Sequence, residues 1–133
     1  MIVSSNSIRS NFLFDVDPEV AFNKAIELGP KLEAFELTYS KTTEVSEKVL
    51  SNFIRECPNC KFLDLSGLRN LKRDDLKQIV NNTALEILVL RGHWFINDAW
   101  LELFESHQNL RKVDLQKCVL IKNLTPSASL FWD

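Results

Sequence analysis

Leu85-Glu-Ile-Leu88-Val-Leu90 is the stretch of this 133-residue chain that decides its fold, because its apolar spacing recurs in three other places. The other copies are Leu32-Glu-Ala-Phe35-Glu-Leu37, Cys60-Lys-Phe-Leu63-Asp-Leu65 and Leu110-Arg-Lys-Val113-Asp-Leu115. Their first residues are separated by 28, 25 and 25 positions. A period in this range is typical of repeat proteins in which each copy is one supersecondary unit.

Behind each strand-like copy, apolar residues recur at the three- and four-residue spacing of an amphipathic helix. These helical stretches open at Val45, Leu71 and Ile96. Ser46 and Asn97 are suitable N-caps, whereas Lys72 in the middle copy is a poor one, so we expect that helix to begin irregularly. A further helix is expected upstream, starting after Asp17-Pro18 and ending at Gly29-Pro30.

One strand-and-helix unit cannot bury its apolar side alone, but stacked units form a continuous core between a parallel sheet and a layer of helices. The sequence therefore predicts an α/β fold. We expect a short right-handed solenoid of about four repeats plus caps, with the sheet on one face and the helices on the other. Within this single domain, residues 1–29 form an N-terminal cap or divergent repeat with a strand near residues 12–16. Residues 30–122 form the repeats, and residues 123–133 a C-terminal cap or tail.

Three short motifs accompany the repeats: Cys57-Pro58-Asn59 before an anchor, Leu115-Gln-Lys-Cys118 after a strand, and Ile96-Asn97-Asp98 at a helix start. With the 25-residue period, they resemble the leucine-rich repeats, and in particular the cysteine-containing subfamily found in F-box proteins. The chain departs from that pattern at Cys60, which replaces an anchor leucine, and at Leu68 and His93, where cysteine is usual. The resemblance covers about residues 30–122 and implies a leucine-rich-repeat fold. Relatives of this kind often use their repeats to select substrates for ubiquitin ligases.

Composition and charge narrow the function classes. With 45% hydrophobic and 26% charged residues, the chain is expected to fold rather than stay disordered. The net charge of −2 gives no basic field, and the basic pairs Lys72-Arg73 and Arg111-Lys112 lack interleaved aromatics, so no nucleic-acid partner is predicted. The longest apolar run near the N-terminus, Phe12-Leu-Phe14, is too short for a signal-peptide core or a membrane-spanning helix, so no membrane insertion is predicted. Three cysteines cannot all pair, so we predict an intracellular location, cytoplasmic or nuclear.

The sequence offers candidates for chemistry, but each has a stronger structural interpretation. Cys57-Pro-Asn-Cys60 has the spacing of a zinc or redox pair, yet Cys60 lies at a strand anchor and Cys118 lies two repeats away. We therefore interpret the cysteines as structural and expect no metal and no cofactor. Asp64 and Asp114 are expected to form a solvated acidic stripe rather than a catalytic pair, because an open sheet face does not exclude water. The sequence predicts that the protein is not an enzyme.

The residues between the strand anchors point away from the core, onto the concave face of the predicted solenoid. There, Ile87 and Val89 are expected beside Phe62 as an exposed apolar patch, bordered by Asp64, Arg91, Lys112 and Asp114. An apolar centre with a charged rim is typical of a protein–protein interface. Two alternatives stay open: a terminal tail covers the patch, or these β-branched residues serve only to favour a strand.

The loop after the third strand, Arg91-Gly-His93-Trp94-Phe95, adds residue types that dominate binding hot spots. The alternative in which Trp94 or Phe95 packs beneath the loop as core stays open, and His93 is interpreted as a loop histidine rather than a ligand or pH switch. The predicted partner-binding set is Phe62, Asp64, Ile87, Val89, Arg91, His93, Trp94, Lys112 and Asp114.

The sequence thus predicts a non-enzymatic protein–protein interaction module that holds its partner on the concave face and the adjoining loops. Two roles stay open. The resemblance implies an adaptor that recognises substrates for an F-box-type ubiquitin ligase, although the stretch before residue 30 is predicted to be too short for an F-box. The other role is an assembly factor or structural subunit that occupies one site in a large multi-protein complex.

Overall fold

The computed structural model describes residues 2–3, 6–9, 17–37, 44–105, 107 and 109–122 of the chain. Within them it contains one six-stranded sheet and four α-helices. The strands are β1 (Ile2–Val3), β2 (Ser7–Arg9), β3 (Ala34–Glu36), β4 (Phe62–Asp64), β5 (Ile87–Val89) and β6 (Lys112–Asp114). The helices are α1 (Pro18–Leu28), α2 (Glu47–Glu56), α3 (Arg73–Val80) and α4 (Glu102–Glu105), with 3₁₀ turns at Gly29–Lys31 and Asp98–Leu101.

The strands lie in the sheet in the order in which they occur along the chain. Strand β1 is antiparallel to β2, and β2 to β6 are all parallel to one another. Their central residues are in register and form one buried row: Ile8, Phe35, Leu63, Leu88 and Val113. The prediction of an α/β fold with a parallel sheet is therefore confirmed. The strand predicted near residues 12–16 and the C-terminal cap at residues 123–133 lie outside the described residues.

The hydrophobic core lies between one face of the sheet and the helices. Each of the four helices follows a parallel strand, and consecutive helices pack against each other. Buried residues of the helices and the central row of the sheet belong to one hydrophobic cluster. At one end of it the rings of Phe22, Phe35 and Phe53 have their centroids 4.9–5.0 Å apart. Phe35 therefore fills the anchor position where the later strands carry smaller residues, because two other aromatic rings pack around it.

The predicted helix caps are largely confirmed. The Ser46 hydroxyl accepts a hydrogen bond from the Val49 N–H at 3.3 Å, and the Asn97 side chain accepts one from the Ala99 N–H at 3.0 Å. Lys72 is a poor cap, as predicted. The helix α3 nevertheless begins directly after it, at Arg73, because the Asp75 carboxylate accepts a hydrogen bond from the Lys72 N–H at 3.0 Å.

The third helical stretch is shorter than its sequence pattern indicates. It consists of a 3₁₀ turn over Asp98–Leu101 followed by a single α-helical turn, α4. The longest helix is α1, with 11 residues, and no helix in the described part of the chain is both long and apolar enough to cross a membrane.

Candidate functional site

The sheet face opposite the core, which we call the outer face, carries two rows of side chains. Because side chains alternate along a strand, the neighbours of the buried central row point to this face. The first row consists of Ser7, Ala34, Phe62, Ile87 and Lys112, and the second of Arg9, Glu36, Asp64, Val89 and Asp114. The predicted juxtaposition of residues on neighbouring strands is therefore found.

The first row gives the outer face its accessible surface. Phe62 and Ile87 are direct cross-strand partners, and Ile87 is in turn the partner of Lys112. All three side chains are half-buried, so each still presents part of its surface to solvent. The result is an aromatic and a β-branched side chain side by side, with a positive charge next to them.

The second row is more buried than the sequence predicts. Asp64, Val89 and Asp114 are all buried, Asp114 with only 1% of its surface exposed. The expectation of a solvated acidic stripe is therefore wrong for the two aspartates, and Val89 is not part of an exposed apolar patch. The pattern of alternation correctly assigns these residues to the outer face, but it carries no information on how fully their neighbours cover them.

The two buried aspartates hold the ends of their strands. The carboxylate of Asp64 accepts the Ser66 N–H at 2.9 Å, and that of Asp114 accepts the Gln116 N–H at 3.0 Å, which makes the same turn twice. Arg91 donates from Nε to Asp114 at 2.6 Å while half of its side chain stays exposed. The buried charge of Asp114 is thus paired, and both aspartates have a structural role that the sequence analysis missed.

His93 is buried rather than exposed on its loop, which leaves little of its side chain accessible for the partner contact that the sequence predicts. Its Nε2 lies 2.9 Å from the carbonyl oxygen of Leu65, to which it must donate, since a carbonyl only accepts. Burial lowers the pKa of His93, and the ring is neutral near pH 7. Twenty-five residues later, the Cys118 thiol donates to the carbonyl of Leu90 at 3.1 Å. His93 and Cys118 therefore have the same structural role 25 residues apart, since each donates a hydrogen bond to a backbone carbonyl just after a strand.

The buried state of His93 predicts a pH dependence that a substitution removes. Leu68 fills the equivalent buried position one unit earlier, so His93→Leu should preserve the packing and cost about 1 kcal/mol for the lost hydrogen bond. Because the folded protein binds the His93 proton less tightly than the unfolded chain, the free energy of unfolding should fall as the pH drops below 6.5. Urea unfolding at pH 7.5 and pH 5.5 should show a larger loss for the wild type than for His93→Leu. Equal losses would contradict the buried, neutral state.

Trp94 and Phe95 have opposite environments, which resolves the alternative left open by the sequence. Phe95 is half-buried and packs its ring between His93, at 5.0 Å between centroids, and Trp100, at 5.6 Å. Trp94 is exposed, and its ring is perpendicular to that of Phe95, with 5.7 Å between the centroids. Phe95 therefore belongs to the core of the loop, whereas Arg91 and Trp94 are exposed to solvent.

Two surface features lie outside the predicted set. Val119 and Leu120 are exposed apolar residues on the segment beside the Trp94 loop. The repeat period is the signal that finds Val119, since it lies 25 residues after Trp94. Near the N-terminal ends of β4, β5 and β6 there is an open groove of about 440 Å³. It is lined by Lys61, Thr83, Ala84, Glu86, Asn109 and Arg111. None of the predicted binding residues lines this groove.

The three cysteines are free and buried. Cys60 packs at its strand anchor as predicted, and its thiol donates to the carbonyl of Phe62 at 3.1 Å. Cys57 donates to the carbonyl of Ala25 at 3.3 Å. Burial raises the pKa of both Cys57 and Cys60 to about 12, which keeps them as thiols. Across the described residues, no group of three or more histidine, cysteine or acidic side chains is placed to hold a metal ion.

No protein-family model matches this chain, and no curated protein matches it either.

Proposed function

We propose that this chain is a short leucine-rich-repeat solenoid that binds a protein partner on the outer face of its sheet. Contacts that recur at the sequence period support the solenoid. The central residues of β4, β5 and β6 are paired at offsets of 25 residues. Three ion pairs on the surface join residues at the same offset: Glu44 with Arg69, Glu47 with Lys72, and Glu86 with Arg111.

Polar side chains make further contacts from one unit to the preceding one. The amide of Asn70 and the backbone of Val45 exchange two hydrogen bonds, and Asn109 donates to the carbonyl of Thr83 at 2.6 Å. These bonds satisfy backbone groups of the loops, as the thiol of Cys118 and the ring of His93 do at the strand ends. About four right-handed units, stacked in this way, are the arrangement that the period favours.

The observation that carries the binding function is the accessible pair of Phe62 and Ile87 on the first row of the outer face. The row lies beside buried aspartates whose carboxylates accept hydrogen bonds from the Ser66 and Gln116 backbone and from Arg91. Lys112 and Arg91 supply charge around the apolar pair. An apolar centre with a charged rim is suited to a protein partner.

The hydrogen bonds of the buried polar side chains also support a non-enzymatic role. The carboxylates of Asp64 and Asp114 accept backbone hydrogen bonds, and the ring of His93 is buried against a carbonyl. Acid–base catalysis needs a titratable group within reach of a substrate, and these three groups are committed to the fold. The three free thiols fit a protein of a reducing compartment. The resemblance to F-box leucine-rich-repeat proteins supports the adaptor role, with assembly into a fixed complex as the alternative.

The function is tested by Ile87→Asp, with Val20→Asp as its matched control. Ile87 is on the outer face, whereas Val20 is an exposed apolar residue in the first turn of α1, where an acidic residue is well tolerated. We expect Ile87→Asp to reduce the recovery of co-purifying proteins about tenfold or more, because it places a charge at the centre of the interface. Val20→Asp should leave recovery unchanged.

Quantitative mass spectrometry of affinity-purified complexes measures both variants against the wild type, and circular dichroism shows whether each is folded. Ubiquitin-ligase components together with varied other proteins would identify an adaptor, and one constant set of subunits an assembly factor. Equal recovery for Ile87→Asp and wild type, with both folded, would contradict binding at the outer face.

A further inference from the structure

Three exposed apolar side chains lie beyond the C-terminal ends of the parallel strands: Trp94, Val119 and Leu120, with 59%, 71% and 41% of their surface exposed. We call them the loop-edge patch. They belong to two segments of the chain that follow β5 and β6 respectively. None of them points into the hydrophobic core.

Backbone contacts hold the two segments side by side. Before Trp94, the Gly92 N–H donates to the carbonyl of Gln116 at 2.9 Å. After it, Asn97 and Leu120 form a parallel bridge. The segment that carries Trp94 therefore lies beside the segment that carries Val119 and Leu120. Single exposed apolar residues are common on protein surfaces, as Val20 illustrates on α1, but neighbouring ones mark an interaction surface.

On the two segments that carry the loop-edge patch, the exposed charged residues are positive, and the carboxylate of Asp98 beside them is half-buried. Arg91, Lys117 and Lys122 are exposed, and the partner of Arg91 is the buried Asp114. Among the described residues, the side chains of Lys117 and Lys122 form no ion pair. The nearby carboxylate of Asp98 is occupied, because it accepts the Lys122 N–H at 2.9 Å. A partner that covers the patch therefore gains most if it brings carboxylates.

Lys117 stands in a backbone conformation that disfavours a side chain. Its φ is 63°, in the left-handed region, and the equivalent positions one and two units earlier are Gly92 and Gly67, with φ of 76° and 84°. Glycine adopts this conformation without strain, whereas a residue with a Cβ does so at a cost. The turn after β6 thus has a charged side chain at a position where the backbone conformation favours glycine. Backbone strain of this kind is typical of functional positions.

We propose that the loop-edge patch docks an acidic amphipathic segment of the protein partner, whose apolar side chains cover Trp94 and Val119 and whose carboxylates face Lys117 and Lys122. This inference deepens the proposed function and rests on it, since it assigns the partner a chemistry and a second contact beyond the outer face. Arg91, whose guanidinium already lies against Asp114, borders both surfaces.

The decisive variant is Lys117→Gly, because it removes the charge and places glycine in a left-handed conformation that Gly67 and Gly92 already adopt. The variant should unfold at an equal or higher denaturant concentration than the wild type, since it relieves the left-handed strain. The probe is a fluorescent synthetic peptide with a central Phe-Leu pair flanked on both sides by glutamates, measured by fluorescence anisotropy. We expect Lys117→Gly to weaken peptide binding about threefold or more and Val119→Asp about tenfold or more, with Val20→Asp unchanged.

Two control probes complete the experiment. A peptide with lysines in place of the glutamates should bind at least about tenfold more weakly, and the affinity for the acidic peptide should fall as salt is added. Equal binding of both peptides, or Lys117→Gly binding as tightly as the wild type, would overturn the proposal. So would preferential binding to vesicles containing phosphatidylserine, which would assign the patch to a membrane surface.

The failure of this inference is distinguishable from that of the proposed function. If the acidic peptide does not bind but Ile87→Asp still abolishes partner recovery, the loop-edge patch is wrong and the outer face remains the binding surface. If Ile87→Asp has no effect on recovery, the proposed function itself is overturned.

Discussion

Leu88→Ala is expected to lower the free energy of unfolding by about 2–5 kcal/mol. Leu88 is fully buried at the centre of β5, with Leu63 and Val113 as its partners on the two neighbouring strands. Its removal deletes apolar contacts on both sides and leaves a cavity in the row that joins the units. Since Leu88 belongs to one hydrophobic cluster that includes residues of every parallel strand, the loss should appear in the unfolding of the whole chain. Urea unfolding followed by circular dichroism measures it.

The same strand supplies the control. Ile87 precedes Leu88 and points to the outer face, where it is only half-buried, so Ile87→Ala should cost clearly less than Leu88→Ala. Because both substitutions are in β5, the strand and its register are the same in the two variants. A larger loss for Ile87→Ala than for Leu88→Ala would mean that the two faces of the sheet have been assigned the wrong way round.

The repeat period is the part of the fold that the sequence predicts best. It places Leu63, Leu88 and Val113 at equivalent positions, and the structure pairs them across neighbouring strands. The signal is strong because a buried central row demands an apolar residue at one fixed position in every unit. The period also finds the turn positions, where Gly92 has the positive φ that the chain needs.

From the sequence, the first strand is predicted near residues 12–16, and β2 is missed. Strand β2 is paired with β3 through Ile8, which lies 27 residues before Phe35, close to the 28-residue step from Phe35 to Leu63. Ile8 is the one apolar residue in Ser7–Arg9, so alternation gives no signal there. The antiparallel β1 then lies beside it, at the edge of the sheet. If the fold is the proposed solenoid, these strands would cover its first repeat, and the sequences of such terminal elements commonly depart from the repeat pattern.

The sequence predicts which residues lie on the outer face, but it does not predict how exposed their side chains are. Alternation assigns Asp64 and Asp114 to the outer face correctly, because it depends only on the geometry of a strand. Their burial depends on three-dimensional contacts, such as the side chain of Arg91 lying on Asp114, which no local pattern encodes. For His93, the equivalent positions Leu68 and Cys118 were the available signal, since both residue types are usually buried.

The thiols of Cys57 and Cys60 should react with a disulfide reagent at pH 8 at least about tenfold more slowly in the native protein than in the unfolded chain. Burial raises the pKa of each thiol from 9.0 to about 12, and each pH unit is a tenfold change in the fraction of the reactive thiolate. Limited access of the reagent to the buried sulfurs slows the reaction further. Reaction with Ellman's reagent, followed with and without urea, measures both rates, and Ser51→Cys on the exposed side of α2 provides a fast-reacting control.

The same shift predicts the behaviour at high pH. Above pH 9 the unfolded chain loses the protons of these thiols while the folded protein keeps them, so the free energy of unfolding should fall as the pH rises from 9 towards 12. Replacing both cysteines by alanine should weaken this decline. Rapid reaction of the native Cys57 or Cys60 would contradict the structural interpretation, because an accessible low-pKa thiol in a Cys-x-x-Cys pair is the mark of metal or redox chemistry.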